Sequence, residues 1–487
     1  MPTTQFDSIL KNSQEAFLKY RQIPGEAKAR FLEAIATEIE GLGSVLISKA
    51  MEETNLPEVR LVSERGRTCN QLRQFAALVK EGSWVEARID LALPDRAPLP
   101  KPDLRKMLVP LGPVVVFGAS NFPFAYSTAG VDTASALAAG CSVVLKAHPA
   151  HPATSDLVTS AIAKAISKTG MPQYVFQHVQ DSSFEAGKAL VQHPLTKAVG
   201  FTGSFSGGKA LYDYATQREE PIPVFAEMGS INPVFILPGA LKVRSEKVAD
   251  MYAASITQGV GQFCTKPGLL LSLQSPELEN FKKQLGEKLK AIAPGTMLHP
   301  GIASSYIKNR TKALAQKGMT LLAESSDKPK ENQAAATLAT VQAAEFINNP
   351  TLVEEVFGPY SILITAQTIE ELTEAVAKIP GQLTATIIGE EDELNVHADF
   401  IKLVIEKAGR VIINGAPTGV EVCPAMHHGG PFPSTTDSRF TSVGTDAIKR
   451  FVRPVSFQNF PNSLLPAELK KENPLEIWRM VDGDWKK

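Results

Sequence analysis

PVVVFGASNFPFAYSTAGVDTASALAAGCSVVLK (113–146) contains a complete strand–helix–strand unit. The run PVVVFG ends at a glycine, TASALAAG follows as a helix of small residues, and SVVLK is a second apolar strand. Continuous apolar strands, unlike alternating ones, are typical of a parallel sheet with helices on both faces. The stretch therefore predicts an α/β fold in which a nucleotide could bind at the carboxyl ends of the strands.

The alternation of strands and helices continues beyond this unit. Before it, residues 1–85 read as helical, because apolar residues recur at helical spacing with charges between them. A second α/β series begins after Ala226, so we expect two parallel-sheet α/β domains. Beyond residue 146 the expected helices lie at 156–170, 188–194 and 207–216, and the expected strands at 174–179, 197–203, 233–238, 268–273, 360–365, 384–389 and 410–414.

Two segments interrupt this pattern. Extended patches at 88–93 and 104–109 flank a proline-rich centre, which predicts a β-hairpin arm because proline interrupts helices and central strands alike. The C-terminal tail carries Trp478 and Trp485, and its apolar surface must dock on another part of the protein. We expect the arm and the tail to make subunit contacts.

Composition limits the class of protein. The chain has 487 residues, which favours at least two domains, and a net charge of −1, which favours neither a nucleic-acid nor a membrane partner. Its four cysteines form no CxxC pair, and this argues against a zinc site and against a disulfide scaffold. The N-terminus is polar where a signal peptide needs an apolar run. We therefore expect a soluble, cytoplasmic protein without a metal site.

Three residues are candidates for chemistry. Cys264, in GQFCTKPG (261–268), lies between a predicted helix and a predicted strand, where a thiol can be partly exposed, although a free cysteine is more often a small buried hydrophobe. Glu227 directly follows an apolar strand and could be a general base, or it could cap a turn. Asn121 follows PVVVFG and could donate its amide to an oxyanion, or it could form a turn.

Weaker signals indicate a cofactor. FTGSFSGG (201–208) places glycines between a strand and a helix, where backbone N–H groups can reach a phosphate, but it lacks the GxGxxG spacing and also fits a plain β–α turn. Lys146 ends a strand and could meet a ribose or a phosphate, or could leave for water. His427 and His428 have no carboxylate–histidine pattern around them, so we predict an active-site loop or plain surface and no metal site.

Taken in order, these stretches resemble the aldehyde dehydrogenase superfamily over nearly the whole chain. Longer stretches at 117–152, 427–461 and 473–483 are most similar to the 2,5-dioxovalerate (α-ketoglutaric semialdehyde) dehydrogenases, and the NADP-dependent fatty aldehyde dehydrogenases share much of the pattern. The matching motifs are GPVVVFGASNFPF, ALAAGCSVVLKAHP, FTGSFSGG, EMGS, GQFCTKPG and EEVFGP.

The resemblance implies a role for each motif residue. The Cys264 thiolate attacks the aldehyde, Asn121 and the Cys264 backbone N–H hold the oxyanion, and Glu227 activates the water that hydrolyses the thioester. It further implies that the cofactor meets a set of residues at the edge of the first sheet and in the EEVFGP motif. These are Lys146, Gly203, Ser204, Gly208, Glu355 and Phe357.

The strand that ends at Lys146 departs from the superfamily pattern. Many NAD-using members continue as Lys-Pro-x-Glu, and that glutamate grips the adenosine ribose, whereas here Pro149 stands in its place. Without the carboxylate a 2′-phosphate is not repelled, and His148 could add a donor. We therefore predict that NADP is preferred and that NAD is also accepted.

The resemblance also suggests a substrate, an assembly and domain limits. For 2,5-dioxovalerate, Arg439 and Ser442 are candidates to bind the distal carboxylate; the alternatives are a fatty or other aliphatic aldehyde, and a non-catalytic nucleotide-binding scaffold. A homodimer or homotetramer is expected. We predict a Rossmann-like dinucleotide-binding domain at 1–87 and 111–226, a catalytic domain at 227–454, and an oligomerisation arm and tail at 88–110 and 455–487.

Overall fold

The computed structural model describes residues 3–487, with side chains from Phe6 onward. The strands are β1 (Arg88–Asp90), β2 (Leu104–Pro110), β3 (Val114–Phe117), β4 (Val143–Lys146), β5 (Phe176–Val179), β6 (Ala198–Thr202), β7 (Val224–Glu227), β8 (Val234–Ile236), β9 (Leu269–Leu273), β10 (Gly295–Thr296), β11 (Thr320–Glu324), β12 (Gln333–Ala334), β13 (Thr337–Gln342), β14 (Tyr360–Ala366), β15 (Gln382–Ile388), β16 (Ala408–Ile413), β17 (Val452–Gln458), β18 (Arg479–Val481) and β19 (Asp484–Lys486).

Helices precede the first strand and then alternate with the strands. They are α1 (Thr3–Tyr20), α2 (Gly25–Gly41), α3 (Gly43–Thr54), α4 (Glu58–Glu81), α5 (Val131–Ala139), α6 (Pro152–Thr169), α7 (Phe184–Gln192), α8 (Phe205–Thr216), α9 (Pro238–Thr257), α10 (Pro276–Lys290), α11 (Pro300–Leu314), α12 (Ala343–Ile347), α13 (Ile369–Lys378), α14 (Glu391–Val396) and α15 (Ala398–Ile405).

The first sheet is parallel throughout, with strand order β5-β4-β3-β6-β7. Every residue of α5 is buried, because its small residues, four alanines and one serine among them, let it lie close between the sheet and the N-terminal helices. Helices α1 and α7 cover another part of the sheet with a separate apolar cluster. The predicted α/β unit at 113–146 is confirmed, and so are the helices predicted before residue 85.

The second sheet has the order β11-β13-β14-β9-β8-β15-β16 and is parallel except for β11. Two buried apolar clusters cover its faces, so its strands read as continuous apolar runs in the sequence. The two parallel-sheet α/β layers agree with the predicted fold class. The last strand, β16, lies at the edge of the sheet, and all its residues are partly or fully exposed.

The arm and the tail form a third sheet, in the order β17-β2-β1-β18-β19. Strands β1 and β2 pair antiparallel, which confirms the predicted hairpin, and β18 adds to β1 in parallel. The tail buries Leu465, Leu469 and Ile477 against this sheet, whereas Trp478 and Trp485 remain about half exposed. Among residues 3–487, no helix combines the length and the apolar character needed to cross a bilayer.

Candidate active site

The site begins where the connections of the first sheet reverse direction. From β3 the chain proceeds outward to β4 and β5, and from β6 it proceeds to β7 on the other side. Open parallel sheets bind ligands outside the carboxyl ends of the two strands that flank such a reversal. Asn121 lies just after β3 and Gly203 just after β6, so both lie at this crevice.

Cys264 lies in a loop that the side chain of Asn232 holds in place. The loop follows a short 3₁₀ turn at Gln258–Gly261 and precedes β9, as predicted from the sequence. The Asn232 side-chain amide donates to the carbonyl oxygens of Cys264, at 2.9 Å, and of Lys266, at 3.0 Å. Asn232 adopts a φ of 46°, which asparagine tolerates better than most residues. Sequence reasoning missed this positioning residue.

A chain of polar contacts joins Cys264 to Glu227 through His428. The Sγ atom of Cys264 lies 3.5 Å from Nε2 of His428, and the same nitrogen lies 3.0 Å from Oε1 of Glu227. The hydroxyl of Ser442 donates to the other Glu227 oxygen at 2.6 Å. His428 is only 1% exposed, so the chain of contacts is shielded from solvent. The sequence predicted Cys264 and Glu227 as chemical groups, but it assigned no role of this kind to His428.

A single proton can move among these three side chains. One ring nitrogen of His428 faces both the thiol and the carboxylate, whereas its Nδ1 is buried and has no partner among the described residues. The donor atoms of Cys264, His428 and Glu227 lie within 4.8 Å of one another, a spacing at which they could also hold a metal ion. The predicted absence of a metal therefore stays a prediction.

Electrostatics favours a neutral thiol beside an ionised carboxylate. Burial raises the pKa of Cys264 well above its ordinary value, and the Glu227 charge raises it further. Burial also raises the pKa of Glu227, but attraction to His428 and hydrogen bonds from His428 and Ser442 outweigh it, so this pKa ends below its ordinary value. Glu227 is therefore poised to accept a proton, directly or through His428.

Asn121 lies beside the nucleophile loop. Its Nδ2 atom donates to the carbonyl oxygen of Gln262, two residues before Cys264, at 3.1 Å, and its second N–H is left for a ligand. The backbone N–H of Cys264 donates to no acceptor among the described residues. When the thiol attacks an aldehyde, the carbonyl oxygen becomes an oxyanion, and two donors next to the thiol can stabilise it.

Comparisons with known proteins agree with this arrangement. A model of the aldehyde dehydrogenase family matches residues 1–454. The chain belongs to the aldehyde dehydrogenase family. It is therefore an oxidoreductase that acts on aldehydes, and members of this family use NAD or NADP.

Two curated relatives are similar over nearly their whole length. Alpha-ketoglutaric semialdehyde dehydrogenase 2 of Azospirillum brasilense is 49% identical over 97% of this chain and 90% of the relative. Alpha-ketoglutaric semialdehyde dehydrogenase of Acinetobacter baylyi is 48% identical over 98% and 91%. A solved betaine aldehyde dehydrogenase of Staphylococcus aureus gives a TM-score of 0.78 at 19% identity, over 96% of this chain and 90% of that one, and supports the fold alone.

A lysine and a glutamate interact electrostatically behind the nucleophile loop. The Lys266 ammonium donates to the Tyr360 carbonyl oxygen at 2.7 Å, and its charge acts on Glu355. Burial raises the pKa of Glu355 to about 7, although Lys266 opposes this, and burial lowers the pKa of Lys266 to about 8. A Cβ atom on Gly229 would lie 2.5 Å from the Glu355 carboxylate, so a side chain at this position would displace that carboxylate. Phe357, two residues further on, is partly buried.

The residues predicted to meet the cofactor lie along the carboxyl edge of the first sheet. Ser204 caps α8 by accepting from the Gly207 N–H at 3.2 Å, and the first turn of this helix is exposed. A Cβ atom on Gly208 would lie 2.6 Å from Met228, and this fixes how closely α8 approaches β7. Lys146 is half-buried at the end of β4, and burial lowers its pKa. An exposed helix N-terminus fits a pyrophosphate group.

His148 is not a cation in this setting. Burial, together with the nearby rings of His151 and His299 and the charge of Lys146, lowers the pKa of His148 to about 3. Its Nδ1 atom accepts from the Ala150 N–H at 3.1 Å, so Nε2 carries the proton. It can therefore offer only a neutral donor to a ligand.

The two residues predicted to bind substrate have different environments. The Arg439 side chain is 77% exposed and is paired with Asp437, so the structure does not bring it to the site. Ser442 is buried and holds Glu227, which makes it a positioning residue at the base of the site. Cys69 and Cys141 are buried, and burial raises the pKa of each to about 11, as suits packing residues.

Proposed function

We propose that the protein oxidises 2,5-dioxovalerate to 2-oxoglutarate with NADP, and less well with NAD. The contact chain from Cys264 through His428 to Glu227 is the observation that carries the proposal of a thiol nucleophile with a base. The choice of substrate is supported by the two relatives at 48% and 49% identity, whose names specify α-ketoglutaric semialdehyde.

The first step forms a bond between sulfur and the aldehyde carbon. Glu227 accepts the thiol proton of Cys264, directly or relayed by His428. The lowered pKa of Glu227 keeps its carboxylate ionised and free to accept, and because the thiol pKa lies well above its ordinary value, the proton leaves as the sulfur adds to the aldehyde carbon. The negative charge then moves to the aldehyde oxygen, where the Asn121 amide and the Cys264 N–H donate to it.

The remaining steps release the acid. When bound, the nicotinamide supplies a hydride acceptor. The adduct gives up its hydrogen together with both electrons of the carbon–hydrogen bond, and a Cys264 thioester remains. Glu227 passes the thiol proton to solvent and then takes a proton from water as the hydroxide adds to the thioester carbonyl. The carbon–sulfur bond breaks, the Cys264 sulfur takes back the proton that Glu227 holds, and the released acid loses its own proton to solvent. Lys146, Ser204, Gly208 and Glu355 would hold the cofactor, as expected from the resemblance, and the exposed first turn of α8 fits that assignment.

A homo-oligomer follows from the exposed apolar elements. The arm exposes Leu91, Leu93 and Leu99, the tail exposes Trp478 and Trp485, and β16 leaves a sheet edge without a neighbour among the described residues. Exposed apolar clusters and open sheet edges mark surfaces that pair with another chain. We propose a homodimer or a homotetramer that uses the arm, the tail and this edge.

A kinetic panel tests the proposed function. Purified protein is assayed with 2,5-dioxovalerate, pentanal, hexanal and decanal, each with NADP and with NAD. We expect the highest kcat/KM for 2,5-dioxovalerate with NADP; a preference for decanal would favour a fatty aldehyde dehydrogenase, and a preference for NAD would refute the cofactor proposal.

Two variants separate the steps of the mechanism. Cys264→Ala should abolish NADPH formation, since no other thiol lies in the site; surviving activity would refute a thiol mechanism and revive the alternatives. Glu227→Gln should form about one NADPH per active site, more slowly than wild type, and then stall, because the thiol loses its base and the thioester is not hydrolysed. Steady turnover by Glu227→Gln would show that another group activates the water.

A further inference from the structure

Three arginine side chains carry charges that act on Cys264, and they have fewer carboxylate partners than positive charges. Arg60 and Arg67 project from α4, and Arg410 projects from β16. The charges of Arg60 and Arg410 interact with Cys264, as does that of Arg67. Glu64 is the neighbouring acid on α4, with a carboxylate oxygen 3.8 Å from Arg60.

Arg60 already makes several contacts within the protein. Its guanidinium lies over the rings of Phe122 and Phe263, at 4.6 and 4.4 Å from their centroids, and donates to the Asn121 carbonyl oxygen at 2.8 Å. Together with Glu64, it fixes the turn that carries Asn121. These contacts within the protein explain the position of Arg60 without a ligand.

Arg67 and Arg410 are less fully partnered than Arg60. Neither forms an ion pair with a carboxylate in the part of the chain that the structure describes, residues 3–487. Arg67 lies over the rings of Tyr126 and Phe122, at 5.6 and 6.0 Å from their centroids, and makes one long hydrogen bond, to the Tyr126 hydroxyl at 3.4 Å. Arg410 donates to the carbonyl oxygens of Pro417 and Gly419. Both side chains are partly buried and the Nε atom of each is buried and unpartnered, so each can still donate to an incoming anion.

The fold brings these two arginines to one side of the site. The segment that follows β16, to which Arg410 donates, is attached to α4 by a hydrogen bond from the Gln74 side chain to the Val422 carbonyl oxygen, at 3.0 Å. Both guanidinium charges also act on Tyr126, whose ring lies 6.4 Å from that of His428. Arg67 and Arg410 therefore flank Tyr126 on the side of the nucleophile.

We infer that Arg67 and Arg410 bind the carboxylate at the far end of an aldehyde substrate and thereby select an oxo-acid aldehyde over an alkyl aldehyde. This inference rests on the proposed function and deepens it. In 2,5-dioxovalerate the carboxylate carbon is four bonds from the aldehyde carbon, about 5 Å when extended. Arg67 donates to Tyr126, whose ring lies 6.4 Å from that of His428, and His428 in turn contacts Cys264. We therefore expect the substrate carboxylate to reach the two guanidinium groups, whereas an alkyl chain offers them no partner.

Arg67 and Arg410 differ from Arg439, the arginine that the sequence predicts for this role. Arg439 was selected because it lies in a motif typical of the branch, yet Asp437 already pairs with its charge in solvent. Arg67 lies on a charged helix about 200 residues before Cys264, where no local pattern sets it apart from its neighbours. Only the packing of α4 beside the nucleophile loop reveals it.

The test compares two five-carbon aldehydes. For wild type, Arg67→Gln, Arg410→Gln and the control Arg439→Gln, kcat/KM is measured with 2,5-dioxovalerate and with pentanal, which has the same chain length and no carboxylate. We expect the ratio of the two constants to fall at least 30-fold in Arg67→Gln and in Arg410→Gln, mainly through KM for 2,5-dioxovalerate. The ratio should stay within threefold of wild type in Arg439→Gln.

Glutarate binding supplies a readout that does not depend on turnover. This dicarboxylate has the same length and no aldehyde, so calorimetry on the whole protein reports the carboxylate site alone. The affinity should fall at least tenfold in Arg67→Gln and recover in part in Arg67→Lys, which restores the charge. Ratios and affinities within threefold of wild type in both glutamine variants would overturn the inference.

The two proposals fail in different ways. If the wild type does not prefer 2,5-dioxovalerate to pentanal, the proposed substrate is wrong. If the wild type has that preference and both glutamine variants retain it, the substrate stands and the role of the arginines is wrong. Pentanal turnover in each variant shows that the site has folded.

Discussion

Replacing His428 by asparagine tests the electrostatic basis of the site. His428 lies 3.0 Å from Glu227 and 3.5 Å from Cys264, and it is 1% exposed, so water cannot readily replace it. A hydrogen bond to a charged group contributes about 1.5–3 kcal/mol, and about 1.4 kcal/mol corresponds to a factor of ten. Loss of this contact should therefore lower kcat/KM about 100-fold.

The same variant should change the pH dependence in a defined direction. Glu227 must be ionised to act as a base, so activity is lost as the pH falls through its pKa. His428 and Ser442 hold that pKa below its ordinary value against burial, and without His428 the effect of burial prevails. The acid limb of the kcat/KM profile should move up by about one pH unit, since one unit corresponds to about 1.4 kcal/mol.

The assay is kcat/KM from pH 5 to 9, with the rate of inactivation by iodoacetamide as a second probe of the thiol. His427→Asn is the matched control, because His427 is the neighbouring histidine in the chain and forms no hydrogen bond to Glu227. An acid limb that stays in place in His428→Asn, or that moves equally in His427→Asn, would refute the electrostatic role of His428.

Two further predictions concern the cofactor and the interaction of Lys266 with Glu355 behind the loop. Pro149→Glu should lower kcat/KM for NADP at least tenfold and raise it for NAD, because a carboxylate repels the 2′-phosphate and can bind a ribose diol; unchanged kinetics with both cofactors would place residue 149 away from the ribose. Lys266→Met should lower the free energy of unfolding by about 1–3 kcal/mol at pH 7.5, as measured with urea, because it removes the ammonium that donates to the Tyr360 carbonyl and the charge that acts on Glu355. At that pH Glu355, with a pKa of about 7, is mostly ionised and Lys266, with a pKa of about 8, is mostly charged. The loss should be smaller at pH 6, where Glu355 is protonated, and a loss independent of pH would contradict the interaction.

Local sequence patterns predicted the fold because each strand is buried on both faces. The run VVVF at β3 and the small-residue helix α5 occupy the interior, so composition and structure correspond directly. Boundaries were less certain where a cap decides them. Helix α8 starts at Phe205, two residues before the predicted start, because the Ser204 side chain caps it.

The candidate site is predictable only where several motifs occur in a known order. The flanks of Cys264 and Glu227 also fit a packing cysteine and a turn-capping glutamate, and only the resemblance to a superfamily implies a catalytic role for each. His428, Asn232, Arg67 and the Ser442 contact to Glu227 depend on segments that are distant in sequence. No periodicity records such contacts, because they arise only when segments far apart in the chain pack together.

The surroundings of Cys264 explain why an acid-bearing aldehyde suits this site better than a simple alkyl aldehyde. A resting thiol next to a carboxylate is hard to ionise, and burial makes this worse. The Arg67 charge opposes both effects, yet it would also be costly to bury without an anion. A substrate carboxylate that satisfies Arg67 and Arg410 removes that cost at the moment of binding. The contact between the substrate carboxylate and the two arginines then stabilises the complex that goes on to react, and alkyl aldehydes cannot make this contact.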